Sequence, residues 1–140
     1  MKKSVLFVFS VLVLMLVSCG NRLKEKVINT YDNGQASLVR YYDHDDQCVR
    51  EVEYYEDGVL KMEGEMQDGH REGEWKAYFP DGRPQSIGFF KDGLRTGKAT
   101  IYYSNGNLWM EGFYKEGKKV GEWTYYDEQG YKLRTDDYGE

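Results

Sequence analysis

The densest cluster of reactive side chains in this chain is Asp43-His44-Asp45-Asp46-Gln47-Cys48. It holds possible metal ligands, but structural zinc sites need cysteine and histidine pairs at set spacings. A calcium loop needs alternating acidic positions around a glycine turn. Neither pattern is present, so the cluster reads as a solvated polar loop and no metal is expected. His70 stands alone, and no Ser or Cys nearby is in a recognisable nucleophile context. Asp136-Asp137 and the many glutamates could in principle pair for glycoside hydrolysis, but spread carboxylates usually form a solvated face. No phosphate-cradling loop is present. The residues predict a non-enzymatic protein without a cofactor. Trp109 stands apart as a candidate binding anchor, because exposed tryptophans concentrate at binding hot spots. The other reading of Trp109 is a cover over the edge of an aromatic core.

These side chains must be positioned by a repeat. Gly34, Gly58, Gly82, Gly106 and Gly130 stand one period apart, 24 residues. Gly69, Gly93 and Gly117 keep the same period, as do Gly64, Gly88 and Gly112, and Gly73, Gly97 and Gly121. Aromatic or large apolar columns run Tyr42, Met66, Phe90, Tyr114, Tyr138 and Tyr54, Tyr78, Tyr102, Tyr126. Another runs Tyr31, Tyr55, Phe79, Tyr103 and ends at Asp127. Trp75 and Trp123 align with Ala99 between them, which marks them as core. A fixed period means one unit stacked on itself.

Two glycines per unit follow acidic or amide residues, the chemistry of tight hairpin turns. The structural turn glycines are therefore Gly34, Gly58, Gly82, Gly106 and Gly130, with Gly69, Gly93 and Gly117 closing the second turn. Between turns the segments have strand length and are rich in Tyr, Phe, Trp, Val and Ile. In Gly73–Phe79, Trp75, Ala77 and Phe79 share one face while Lys76 and Tyr78 share the other. Ten strands are expected. The first of each pair lies near Val27–Tyr31, Val49–Tyr55, Gly73–Phe79, Gly97–Tyr103 and Gly121–Tyr126. The second lies near Gln35–Tyr42, Val59–Met66, Arg83–Phe90, Asn107–Tyr114 and Tyr131–Tyr138. The fold class is all-β: an elongated antiparallel sheet of about five tandem hairpins over residues 27–140. The loop at Asp43–Asp46 lacks the second-turn glycine, and reads either as a local functional insertion or as an irregularity at the capping end.

The segment Gly88-Phe89-Phe90-Lys91-Asp92-Gly93-Leu94-Arg95-Thr96-Gly97 resembles a MORN repeat, and it recurs at Gly64–Gly73 and Gly112–Gly121. MORN repeats usually place another glycine where Trp75, Ala99 and Trp123 stand. The longer unit, with a Tyr-Tyr or Tyr-Phe pair before the turn, resembles the bacterial MORN variant typical of YwqK-type antitoxins. That resemblance implies a binding protein, with toxin neutralisation as one form of binding.

The amino terminus points to a location. Lys2-Lys3 precede the apolar run Val5–Val17, and Leu16-Val17-Ser18-Cys19 resembles a bacterial lipobox. The resemblance implies a signal peptide over 1–18, lipid attachment at Cys19 and a polar tether over 19–26. Three acyl chains exceed what stable anchoring needs. Gly20 in place of Asp favours the outer membrane. Cleavage would remove Lys2 and Lys3, leaving 17 basic against 24 acidic residues, a net charge of −7. The charges are interspersed without a basic stripe, so nucleic-acid binding is not expected. With Cys19 acylated, Cys48 has no disulfide partner. The expected protein is lipid-anchored in the bacterial envelope and binds a protein there, with a toxin as the alternative partner.

Overall fold

A computed structural model describes residues 22–140. Cys19, the signal segment 1–18 and the start of the tether lie outside the described residues. The described residues form one antiparallel sheet of 10 strands in sequential order. They are β1 (Lys24–Thr30), β2 (Ala36–Tyr42), β3 (Cys48–Tyr54), β4 (Leu60–Gln67), β5 (His70–Tyr78), β6 (Pro84–Lys91), β7 (Leu94–Tyr102), β8 (Leu108–Lys115), β9 (Lys118–Tyr126) and β10 (Lys132–Asp137). The first strand begins within the expected tether. Among the described residues no helix is long and apolar enough to cross a membrane.

Two turn types alternate. Asp68-Gly69, Asp92-Gly93 and Glu116-Gly117 have both central residues at positive φ, near 50° then 80°. That is the two-residue type I′ hairpin, whose twist matches the sheet. At the opposite end of the strands the turns have three residues. Tyr55 N–H donates to Val59 O, Gly58 N–H donates to Tyr55 O, and Gly58 sits at φ 84°. The same pattern recurs at Gly34, Gly82, Gly106 and Gly130. The Asp43–Asp46 loop is a turn of this second type. Asp43 N–H donates to Gln47 O, and Asp46 takes the left-handed position at φ 57° that glycine takes elsewhere. The irregularity lies in the turn type, at the first hairpin boundary.

The strands after each type I′ turn start earlier than expected. Gly73, Gly97 and Gly121 lie inside β5, β7 and β9, at φ 65°, 64° and 59°. Each opens a bulge. Gly64 pairs with Trp75 but Glu65 pairs with Glu72, leaving Gly73 and Glu74 as extra residues. The same two-residue slip occurs between β6 and β7 and between β8 and β9. Because two residues are inserted, each side chain keeps its face. His70–Glu72 and their repeats therefore belong to the sheet.

The centre of one face, the tryptophan face, holds the core. Trp75 and Trp123 are buried, Trp123 with 0% exposure. A flat strand cannot bury an indole alone; the neighbouring glycine makes it possible. A Cβ on Gly64 would lie 2.3 Å from Trp75 Cδ2, and one on Gly112 would lie 2.3 Å from Trp123 Cδ2. Each indole thus lies on bare backbone, the arrangement by which aromatic residues cover strand glycines. Their ring N–H groups donate to Glu65 O at 3.0 Å and Phe113 O at 3.1 Å. At Ala99 the unit is smaller, and a Cβ on Gly88 would meet only Arg95 Nη1 at 3.7 Å.

The first unit replaces this pair with charge. Arg40 and Glu51 occupy the glycine and tryptophan columns, and they are cross-strand partners. Glu51 is 7% exposed, and Arg40 Nη2 lies 2.8 Å from its carboxylate. The hydrogen bond to Glu51 raises the Arg40 pKa above the ordinary arginine value. Along the three-residue-turn end, hydroxyls join successive hairpins. Tyr31, Tyr55 and Tyr103 donate to the carbonyls of Tyr54, Tyr78 and Tyr126 at 2.8, 2.8 and 2.9 Å.

Candidate functional site

The early start of β5, β7 and β9 places three cations in one row. Arg71, Arg95 and Lys119 are one repeat apart and pair across the type I′ hairpins with Met66, Phe90 and Tyr114. Arg71 Cζ lies 4.1 Å from the Trp75 ring centroid and 5.7 Å from that of Phe90. Arg95 Cζ lies 5.4 Å from both Phe90 and Tyr114. Lys119 Nζ lies 4.2 Å from Trp123, 5.1 Å from Tyr138 and 5.6 Å from Tyr125. Burial works against the Lys119 charge, but the Tyr125 hydroxyl bond and the surrounding tyrosines outweigh it, and its pKa stands above the lysine norm. Sequence reasoning found no basic stripe because it began these strands at the bulge glycines. The signal that could have found it was the basic identity of column 71, 95, 119.

The two faces differ in charge. Strand alternation puts Glu63, Glu65, Glu72, Glu74, Glu111 and Glu122 on the face opposite the tryptophans. On that face Lys98 pairs with Glu111 at 2.9 Å, and Arg50 pairs with Glu63. Tyr78 donates to Glu63 at 3.0 Å; burial first, then the neighbouring Glu63, raises its pKa above the ordinary tyrosine value. From β4 to β9 the strand positions of the tryptophan face carry no carboxylate.

The opposite face also bears apolar side chains that the repeat does not require. Phe89 and Phe113 share a column in which Tyr41, Glu65 and Asp137 also stand. They are 38% and 52% exposed, and Leu94 beside the type I′ turn is also exposed. Val120 is the cross-strand partner of Phe113.

The residues singled out from sequence are not brought together. Asp43, His44 and Asp45 offer ligand atoms within 4.8 Å of one another. Asp43 Oδ1, however, accepts the Asp45 and Gln47 N–H groups and so forms the turn. Asp46 accepts from Lys24 Nζ at 2.7 Å. His70 opens β5 beside the next turn, where a Cβ on Gly93 would meet its Nδ1 at 3.3 Å. Asp136 and Asp137 lie on β10, at the far edge of the sheet from the Asp43 loop. Asp136 pairs with Arg134, and Asp137 accepts from Gly139 N–H. Cys48 is half-buried, and burial pushes its thiol pKa up, away from nucleophilic use. Trp109 is 42% exposed and tilts against Tyr103 with ring centroids 5.9 Å apart. It is therefore both a partial cover and an accessible ring. A hollow of about 470 Å³ lies over Leu23, Val49, Arg50, Glu65 and Met66.

The repeats match a known family. Its profile, described as a MORN repeat variant, covers residues 47–68, 71–92 and 95–116. These three units are similar to that repeat, and each matched unit is one hairpin, β3–β4, β5–β6 or β7–β8, with the residues leading into the next turn. The Arg40·Glu51 pair straddles the start of the first matched MORN unit, and the glycine column continues into β10 as Asp136. No curated protein matches the chain.

Proposed function

We propose that this chain is a non-enzymatic binding module that holds a protein partner in the bacterial envelope, tethered by lipid on Cys19. The observation that carries the binding half is the pair Phe89 and Phe113. Two large apolar side chains stand exposed at a repeat position where the preceding unit has Glu65. Exposed apolar patches on a soluble domain mark contact surfaces, and Trp109 adds a second accessible aromatic residue. Support for the anchoring half is the basic, apolar and four-residue pattern ending at Cys19.

The test is in-cell crosslinking and capture of the tagged full chain, alongside the double variant Phe89→Ser/Phe113→Ser and the single variant Trp109→Ala. The reading predicts an envelope protein that is captured reproducibly and is lost from the double variant. Capture that survives both substitutions at equal yield contradicts it. A toxin-like protein as the captured species turns the same module into an immunity-type protein. Membrane fractionation tests the anchor separately: Cys19→Ala should move the chain from the membrane to the soluble fraction, and its retention there contradicts the lipid reading.

A further inference from the structure

We propose that Arg71, Arg95 and Lys119 form a binding rail for a linear acidic polysaccharide carrying one carboxylate per disaccharide. The rail lies on the tryptophan face, away from Phe89 and Phe113, and is independent of the protein-binding reading.

The first argument is spacing. Successive cations are two strands apart, so they recur about every 9.5 Å across the sheet. That interval suits one charge per β-linked disaccharide. Phosphates along a nucleic-acid strand come far more closely, about every 3.4 Å of rise, and would miss the register.

The second argument is availability. Arg95 is exposed, and among the described residues neither Arg95 nor Lys119 joins an ion pair. Arg71 has only Glu53 at 3.9 Å. The chain is acidic overall, with net charge −5, yet this face lacks carboxylates from β4 to β9. Among the described residues nine other ion pairs are formed, most involving turns, the opposite face or the first unit. Leaving three cations without strong partners on a carboxylate-free face creates charge complementary to an anion.

The third argument is preorganisation. Each cation lies against two or more aromatic rings, so little side-chain freedom remains to be lost on binding. Lys119 Nζ donates one bond to the Tyr125 hydroxyl at 3.2 Å and Arg71 Nη1 one to Met62 Sδ at 3.7 Å, but an ammonium has three donors and a guanidinium five, and charge-assisted bonds to carboxylates are the strong kind. Phe90 lies between Arg71 and Arg95, and Tyr114 between Arg95 and its cross-strand partner Lys119.

Titration of the full chain in detergent with hyaluronan oligosaccharides tests this, read by calorimetry. Binding should strengthen from disaccharide to hexasaccharide, because only the longer chain reaches all three cations, and it should weaken with salt. Arg95→Gln should reduce hexasaccharide affinity about tenfold, the scale of one lost charge-assisted bond. Arg95→Lys should retain most of it, which a merely structural role for the guanidinium stack would not predict. Phe89→Ser/Phe113→Ser should leave glycan binding unchanged, so the rail and the protein surface fail or stand separately. Unchanged affinity in Arg95→Gln at an unchanged melting temperature overturns the proposal. So does equal binding of neutral dextran. Tighter binding of poly-glutamate, single-stranded DNA or phosphatidylglycerol vesicles than of hyaluronan overturns the assigned ligand class.

Discussion

Gly88 and Gly112 share a repeat column but face different neighbours. A Cβ at Gly112 would collide with the Trp123 indole at 2.3 Å, whereas one at Gly88 would make ordinary contact with Arg95 Nη1 at 3.7 Å. Gly112→Ala should therefore cost about 2–3 kcal/mol, an overpacking penalty. Gly88→Ala should be neutral or slightly stabilising, since alanine loses less backbone freedom in a strand. Thermal or urea unfolding of both variants checks this; equal effects would refute the indole-on-glycine account. The Arg40·Glu51 pair offers a complementary test. Arg40→Gly alone leaves the Glu51 carboxylate buried without its partner and should cost about 2 kcal/mol, less than a fully buried pair because Arg40 is partly exposed. Adding Glu51→Trp rebuilds the glycine–tryptophan pair of the later units and should recover most of the loss. A double variant less stable than the single one would show that the first unit cannot accept the later packing.

At the scale of the hairpin, the bonds between units are carried by hydroxyls as well as by strand pairing. Phe79 interrupts the tyrosine series that joins each three-residue turn to the next hairpin. Phe79→Tyr should let the new hydroxyl reach the Tyr102 carbonyl and raise stability by about 1 kcal/mol, a typical net hydrogen bond. A lower unfolding midpoint would contradict that geometry. The hairpins themselves were legible in the sequence, because an acidic or amide residue before glycine and a period of two are local signals. The bulges were not. Gly73, Gly97 and Gly121 look like strand starts, and only the register between neighbours shows them to lie within the strands. That error hid Arg71, Arg95 and Lys119. The type of the Asp43–Asp46 turn was not legible for a related reason: Asp46 adopts the left-handed conformation that the repeat assigns to glycine, and an aspartate does not announce this in sequence. The segregation of glutamates to one face was present in the alternation of residues, but its meaning depended on placing the strand boundaries correctly.

Over the whole molecule, one layer of sheet serves two purposes. Tryptophans, glycines and the buried ion pair along the centre line hold the hairpins together, and their columns recur because each unit needs them. The proposed protein contact lies instead where a column breaks its own pattern: Phe89 and Phe113 beside Glu65, and Trp109 among Ser37, Lys61, Gln85 and Leu133. Such units contact only their neighbours, so stability is close to a sum over hairpins and interfaces. An exposed aromatic substitution can then alter binding without unfolding the stack. A photo-crosslinking amino acid placed at position 113 of the full chain in its own cells tests this most directly, with one at position 111 as the control. The account predicts one discrete protein adduct from position 113 and none, or far less, from position 111, where Glu111 is tied to Lys98 within the sheet. No adduct at 113, or the same diffuse set of adducts from both positions, would contradict it.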